Sequence, residues 1–326
     1  MIKKRLLPAL GLAATLLGAT LVPASNVAAK TFPDRNVTVI IPFQPGDTDN
    51  MLRPFLDRMK EFLGQTVVVN YKPGAGGAIG AQYIANQKAD GYELVGTSPG
   101  SIVVVPLANK DVQYSFEDFA PVAALTEGAL MLVAPTDSKW KTLEDLIEDA
   151  KNNPGDITFS SSGAMGITHL LAEAFLNEAE LEMTHVAYQG SGPAITAVLG
   201  GHVDISATAI GPAQGHIKSG TLRPLAVFGD ERMDAYPDVP TVKELGYDVG
   251  SPTLYGLLAP KDTPRERIDI LVDAINQVND KYKDEISEQL LTLGAQIHVL
   301  GPDDYAAYLT QQNELFERAV QVLDSE

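Results

Sequence analysis

Short β-branched or apolar runs alternate with stretches of helical periodicity along most of this chain, and that alternation restricts it to an α/β fold. Val37 to Pro42, Thr66 to Asn70 and Tyr92 to Thr97 are the first three runs, and helix-like stretches follow the first two. They predict a doubly wound first lobe. After the first run, Leu52, Phe55, Leu56, Met59, Phe62 and Leu63 recur at helical spacing and Gly64 supplies a stop. Pro54 interrupts this pattern, and proline is tolerated only near a helix's first turn, so regular helix is expected from about Met51, or with a distorted start.

A second series begins near Met131. Thr142 and Asp145 form a capping-box pattern ahead of Leu143, Leu146, Ile147 and Ala150, and Asn153-Pro154-Gly155 closes that helix. Strands are expected at Ile157 to Ser160, Met183 to Tyr188, Val203 to Ala207, Leu222 to Phe228 and Leu254 to Ala259. Helical periodicity then runs from Pro264 to about Leu293 and from Asp303 to Leu323. Two α/β units with a helical tail can be wired as separate domains or as one lobe interrupted by the other. Periodicity leaves both open, and the lack of low-complexity linkers favours the interrupted form.

The amino terminus reads as an export signal. Lys3, Lys4 and Arg5 precede an apolar run from Leu6 to Val22, and the small-residue stretch ending Val27-Ala28-Ala29 predicts cleavage after Ala29. The apolar run is short of the about 20 residues a spanning helix needs. The expected mature protein is therefore periplasmic and soluble. Loss of the three basic residues takes the formal charge from −18 to −21, which excludes nucleic acid as a partner. With no cysteine, neither disulfides nor a lipidated amino-terminal cysteine contribute, and stability must come from a packed core.

Four loops follow strand ends, where open α/β sheets bind ligands. The first holds Phe43, Gln44, Gly46, Asp47, Thr48 and Asp49; its amides can hold an anion, or Thr48 or Asp49 can simply cap the helix that follows. The second, Lys72 to Gly80 with Gly76 at its centre, lacks the spacing of a dinucleotide fingerprint, and the next strand ends in Thr97 and Ser98 rather than an acid. The third carries Ser161, Ser162, Gly163 and Met165 into a helix with Thr168 and His169, a set of hydroxyls and amides suited to a carboxylate. The fourth runs from Val186 to Gly192 and carries Tyr188, placed either to cover a ligand or to pack as a partly buried aromatic. Thr208, at a further strand end, completes the candidate ligand-binding set.

Catalytic signals are sparse. The five histidines show no i, i+3 or i, i+4 pairing, no nucleophile elbow is present, and no metal or cofactor is expected. Trp140, the single tryptophan, is expected to be exposed.

Taken in order, Ile41-Pro42-Phe43, Pro73-Gly74-Ala75-Gly76-Gly77 through Gly80, Asp90-Gly91-Tyr92, Ser161-Ser162-Gly163 with His169, Leu199 to Asp204, Asp238-Val239-Pro240-Thr241 and Gly256 to Pro260 resemble the Bug-type, TctC-like solute receptors of tripartite tricarboxylate transporters. The resemblance implies a two-lobed type II periplasmic-binding-protein fold with a ligand cleft between the lobes and domain 2 inserted into domain 1. It also implies a solute-binding protein rather than an enzyme. On that basis residues 1–29 are the signal, 30–127 and 229–326 form domain 1, and 128–228 form domain 2.

It further implies that a small organic carboxylate (a dicarboxylate, tricarboxylate, amino acid or aromatic acid) sits between the first and third loops, and that a closed monomer presents it to membrane permease subunits. A two-component sensor is the alternative destination, and a small-molecule enzyme the remaining one. The chain departs from the family in its first loop, which is one residue shorter and more acidic. It departs again at Met165-Gly166 and at Ala207-Thr208, where a larger pocket is expected.

Overall fold

The computed structural model describes residues 32–323 apart from 165, 189 and 251. The export signal and Met165 lie outside the described residues. Chain order is β1 (Val37–Ile41), α1 (Asp47–Leu63), β2 (Val67–Tyr71), α2 (Ala78–Ala85), β3 (Glu93–Thr97), a π-helical turn at Gly100–Val104, α3 (Val105–Ala108), β4 (Phe119–Gly128), β5 (Leu130–Pro135) and α4 (Leu143–Asn152). There follow β6 (Thr158–Ser161), α5 (Ile167–Glu178), β7 (Thr184–Ala187), α6 (Ser191–Leu199), β8 (Ile205–Ala209), α7 (Ile210–Lys218), β9 (Leu222–Phe228), β10 (Thr253–Pro260), α8 (Arg265–Leu291), β11 (Ala295–Leu300) and α9 (Pro302–Leu323).

Two sheets result, in the orders β11-β4-β10-β3-β1-β2 and β7-β6-β8-β5-β9. Each has a parallel trio, β3-β1-β2 in one and β7-β6-β8 in the other. Antiparallel strands extend both trios: β10, β4 and β11 in the first sheet, β5 and β9 in the second. The first lobe is therefore mixed rather than wholly parallel. The chain leaves the first sheet after Gly128, builds the whole second sheet and returns at Thr253, so the second lobe is inserted into the first.

Local signals explain most element ends. Gly64 takes a left-handed φ of 68° at the α1 C-cap, and the Thr142 capping box forms in both directions. α1 starts at Asp47, ahead of the expected Met51, and runs through Pro54. Proline there has no amide for the Asn50 carbonyl, while the next carbonyl, that of Met51, accepts a bond from Thr126 Oγ1 at 3.3 Å. The sheet beneath thus holds the turn that proline weakens.

One apolar cluster sits under α1 and α8, with Leu52, Phe55, Leu271 and Ile275 at its centre. A second runs from Ile40, Val95 and Ile102 of the first lobe through Tyr305, Leu309 and Phe316 of α9 to Phe159, Leu170 and Phe175 of the second. α9 thereby ties the two lobes together. Trp140 is 5% exposed, and its Nε1 donates to Asp149 Oδ2 at 2.9 Å. Its expected exposure is corrected: it is buried in the same apolar cluster as Leu143 and Leu146 of α4.

Candidate functional site

The first loop separates two acids that sequence alone leaves equivalent. Gly46, without a side chain, is the N-cap of α1, so neither Thr48 nor Asp49 caps the helix. Asp49 is 9% exposed and takes Arg53 Nε at 3.0 Å and the Tyr71 hydroxyl at 2.9 Å, while Arg53 Nη2 donates to that same hydroxyl at 3.0 Å. Its charge is spent within the first lobe, and Thr48 beside it is buried.

Asp47 has a different environment. The Tyr255 hydroxyl of β10 donates to its Oδ2 at 2.7 Å, and among the described residues no cation pairs with it. Burial raises its pKa above the ordinary carboxylate value, and the Tyr255 hydrogen bond opposes that rise. The Tyr255 phenol is pushed well up, by burial first and then by the adjacent Asp47 charge, so it stays protonated and able to donate.

Glycine-specific geometry shapes the second loop. Gly77 has φ +99°, and a Cβ there would stand 2.5 Å from Ser101 Cβ and 3.1 Å from the Phe43 ring. Only glycine fits between them. Gly76 turns the chain with φ +64°, and Gln44 projects into solvent. Ser98 is nearly buried, its carbonyl accepting from Thr97 Oγ1 at 3.3 Å.

In the second lobe the hydroxyls are turned inward. Ser161 Oγ lies 2.7 Å from His185 Nε2 and donates to the Gly163 carbonyl at 3.0 Å; Ser162 pairs with Thr168 Oγ1 at 2.8 Å. His169 stacks on His185 with ring centroids 3.6 Å apart and meets Glu173 Oε1 at 3.2 Å. Burial first, and then the neighbouring His169, push His185 down to about 4. Thr208 is buried with its hydroxyl on the Ala209 carbonyl. Tyr188 lines a surface groove with Pro193, Thr196, His202, Pro212 and His216, along α6 and α7.

The lobes meet at junctions of both sheets. Asp47 Oδ1 lies 3.2 Å from the position a Cβ would take on Gly211, in the first turn of α7. Gly100 lies opposite Ile167, at the start of α5, with 3.8 Å between its would-be Cβ and Ile167 Cγ2. The first loop therefore confronts the start of α7, and the start of α5, which closes the third loop, confronts Gly100. On one flank, Gly294 (φ +67°) is packed so tightly on Ile210 that a Cβ would stand 2.3 Å from Ile210 Cγ2. Nearby, Gln214 Nε2 donates to the Leu291 carbonyl at 3.4 Å.

The sequence reading missed Tyr255, Gly211 and His185. The one local signal for the α7 start was Ala209-Ile210-Gly211-Pro212, a strand end meeting a Gly-Pro step. Among the described residues no group of three or more His, Asp or Glu is placed to hold a metal, and no helix is long and apolar enough to cross a membrane.

The sequence profile of the tripartite tricarboxylate transporter family receptor matches residues 51–323. The chain belongs to this receptor family. It is 34% identical to the protein BugT of Bordetella pertussis over 294 residues, 89% of each chain. A solved periplasmic transporter superposes with a TM-score of 0.80 at 33% identity, covering 89% of this chain and 97% of the other. MatC of Rhodopseudomonas palustris with bound malate (TM-score 0.77, 26% identity, 89% and 100% covered) and R. palustris Rpa4515 with adipate (0.77, 26%, 89% and 97%) have the same fold. These receptors bind solutes and are not enzymes, and the two-lobed, inserted architecture described above is theirs.

Proposed function

We propose that the chain works in the periplasm as the solute receptor of a tripartite tricarboxylate-type permease, holding a small organic carboxylate between its lobes and handing it to the permease subunits. The observation that carries this reading is the meeting of strand-to-helix junctions from both sheets, at Asp47 with Gly211 and at Gly100 with Ile167. Main-chain amides at such junctions, each helix start carrying about half a positive charge, favour an anion by about 0.3–2 kcal/mol apiece. Together with several direct or water-bridged hydrogen bonds they are enough for micromolar affinity, about 8 kcal/mol.

The candidate set divides accordingly. Phe43, Gln44, Gly46, Gly76, Ser98, Ser162 and Gly163 belong to the junctions that would surround the solute. Asp49, Ser161, Thr168, His169 and Thr208 hold those junctions in shape through the contacts above. We assign 30–127 with 229–326 to one lobe and 128–228 to the other, joined where β4 passes to β5 and β9 to β10. The two crossings and α9 give the hinge about which the lobes would close.

Differential scanning fluorimetry against malate, adipate, citrate, glutamate and benzoate tests this reading. A true ligand at 100 times its Kd adds about 2.7 kcal/mol of stability. Calorimetry on the acids that stabilise the protein, and uptake by cells carrying the permease with and without this receptor, would follow. Stabilisation by neutral sugars but by none of the acids at millimolar concentration would overturn the proposal.

A further inference from the structure

We infer that Asp47 sets the charge selectivity of the cleft: the end of the ligand that reaches the α7 side is an ammonium or a neutral hydrogen-bond donor, and a second carboxylate is rejected there. This rests on the carboxylate-receptor reading above and adds to it the chemistry of the ligand's other end.

The geometry is specific to one of the two loop acids. Asp49 has its charge answered by Arg53 and its second oxygen by Tyr71. Among the described residues Asp47 has one hydrogen-bond partner, the neutral Tyr255 hydroxyl on Oδ2, and its Oδ1 reaches across to Gly211 of the other lobe. A side chain of the first lobe thus brings its own negative charge to the first turn of α7, the place where that helix would otherwise favour an anion. A ligand carboxylate brought there meets a like charge in a partly desolvated setting, where Coulomb repulsion is several times stronger than in bulk water. An ammonium or hydroxyl meets an acceptor with a free oxygen. Burial opposes the charge of Asp47, so a cationic group placed there gains by supplying its counter-charge. Gly211 lacks a side chain that would separate the two lobes at this point, and the approach of Asp47 depends on that.

The test uses size-matched probes that differ at one end only: succinate, 4-aminobutyrate and butyrate at four carbons, and adipate, 6-aminohexanoate and hexanoate at six. Each is titrated calorimetrically at pH 7.5 into the wild-type protein, Asp47→Asn, which keeps the size, and Asp47→Gly, which removes the group. The wild type is expected to bind the amino acid of the better-fitting length at least tenfold more tightly than the diacid. Both variants are expected to shift that ratio toward the diacid by tenfold or more. Gly211→Ala, which pushes Asp47 aside without altering charge, should shift the ratio in the same direction. A wild-type preference for the diacid that stays within twofold in Asp47→Asn would sink the inference and leave the carboxylate reading standing. Failure of every probe to bind any of the proteins would remove both.

Discussion

His185 gives the second lobe a built-in acid sensitivity that can be measured directly. Its ring is stacked on His169 at 3.6 Å and bound to Ser161 at 2.7 Å, and burial pushes its pKa from 6.5 down to about 4. A depressed histidine favours the folded protein while it is neutral. The unfolded chain takes up its proton first, near 6.5, so stability is lost as pH falls from there toward 4 and no further below it. A gap from 6.5 to about 4 corresponds to about 3 kcal/mol at most, and partial solvent access to the ring reduces this to about 2 kcal/mol. In a chain of this size that is about 4 °C in Tm. The control is His185→Gln, whose amide can meet Ser161 without titrating in this range. Thermal or urea unfolding at pH 8, 7, 6, 5 and 4 should show the wild type and the variant running parallel above 6.5. Below it the wild type should lose about 2 kcal/mol relative to the variant, since every other carboxylate and histidine is shared and cancels. Parallel curves down to pH 4 would show that the His185 environment is not desolvating, and the account of the third loop as an inward-facing hydroxyl and imidazole network would go with it.

Gly256→Ala in β10 places a Cβ 2.4 Å from the Ala123 carbonyl oxygen and 2.8 Å from the Tyr305 ring, so a loss of about 1–3 kcal/mol is expected in urea unfolding; an unchanged midpoint would contradict the close packing of that strand. Arg53→Ala leaves the buried Asp49 with Tyr71 alone and should cost about 1–3 kcal/mol, with Arg53→Lys a poor rescue because one ammonium cannot copy the Nε and Nη2 bonds. Asp47 has the opposite pH sign to His185: its folded pKa is raised, so the stability linked to it is complete below the unfolded value of 3.8 and lost as pH rises through the folded one. Asp47→Asn should therefore melt higher than the wild type at pH 7.5, with the difference closing as pH falls toward 4, and a variant that melts lower at pH 7.5 would argue against a buried, uncompensated charge.

Local chemistry was legible wherever a rule acts over a few residues. The Gly64 stop, the Thr142 capping box and the β1-α1-β2 alternation needed no tertiary knowledge. What failed was set by distant neighbours. β4 went unseen because a central strand covered on both faces has no alternation to read, and Pro121 lies within it. β11 is a short edge strand of mixed residues. α1 outran Pro54 because a sheet residue, Thr126, attends the weakened turn. Trp140 was misjudged for the same reason: its buried indole is tied to Asp149 of a helix that the local pattern could place but could not dock. Of the site, the loops were legible as strand ends rich in glycine and hydroxyls. Their partners across the cleft were not, since Asp47 and Gly211 come together only through the two chain crossings that insert one lobe into the other.

That wiring also resolves how an acidic protein can serve as a receptor for acids. The formal charge of −18 acts at long range and is screened within about 10 Å at 0.1 M salt, whereas binding is decided by the few atoms at the lobe junctions. Two carboxylates in the first turn of one helix show how differently such atoms can act. Asp49 is tied by Arg53 and Tyr71 into the first lobe, and its charge is gone from the cleft. Asp47, two residues earlier, keeps an oxygen aimed at the opposite lobe, and among the described residues a phenol alone bonds its carboxylate. Counting acids in the loop would predict repulsion of any anion, while locating them leaves one negative point, Asp47, at the α7 end of the cleft and the other, Asp49, answered by Arg53. On the inference above, a ligand with one carboxylate and one donor end is expected in a single orientation, its carboxylate toward α5 and its donor toward Asp47.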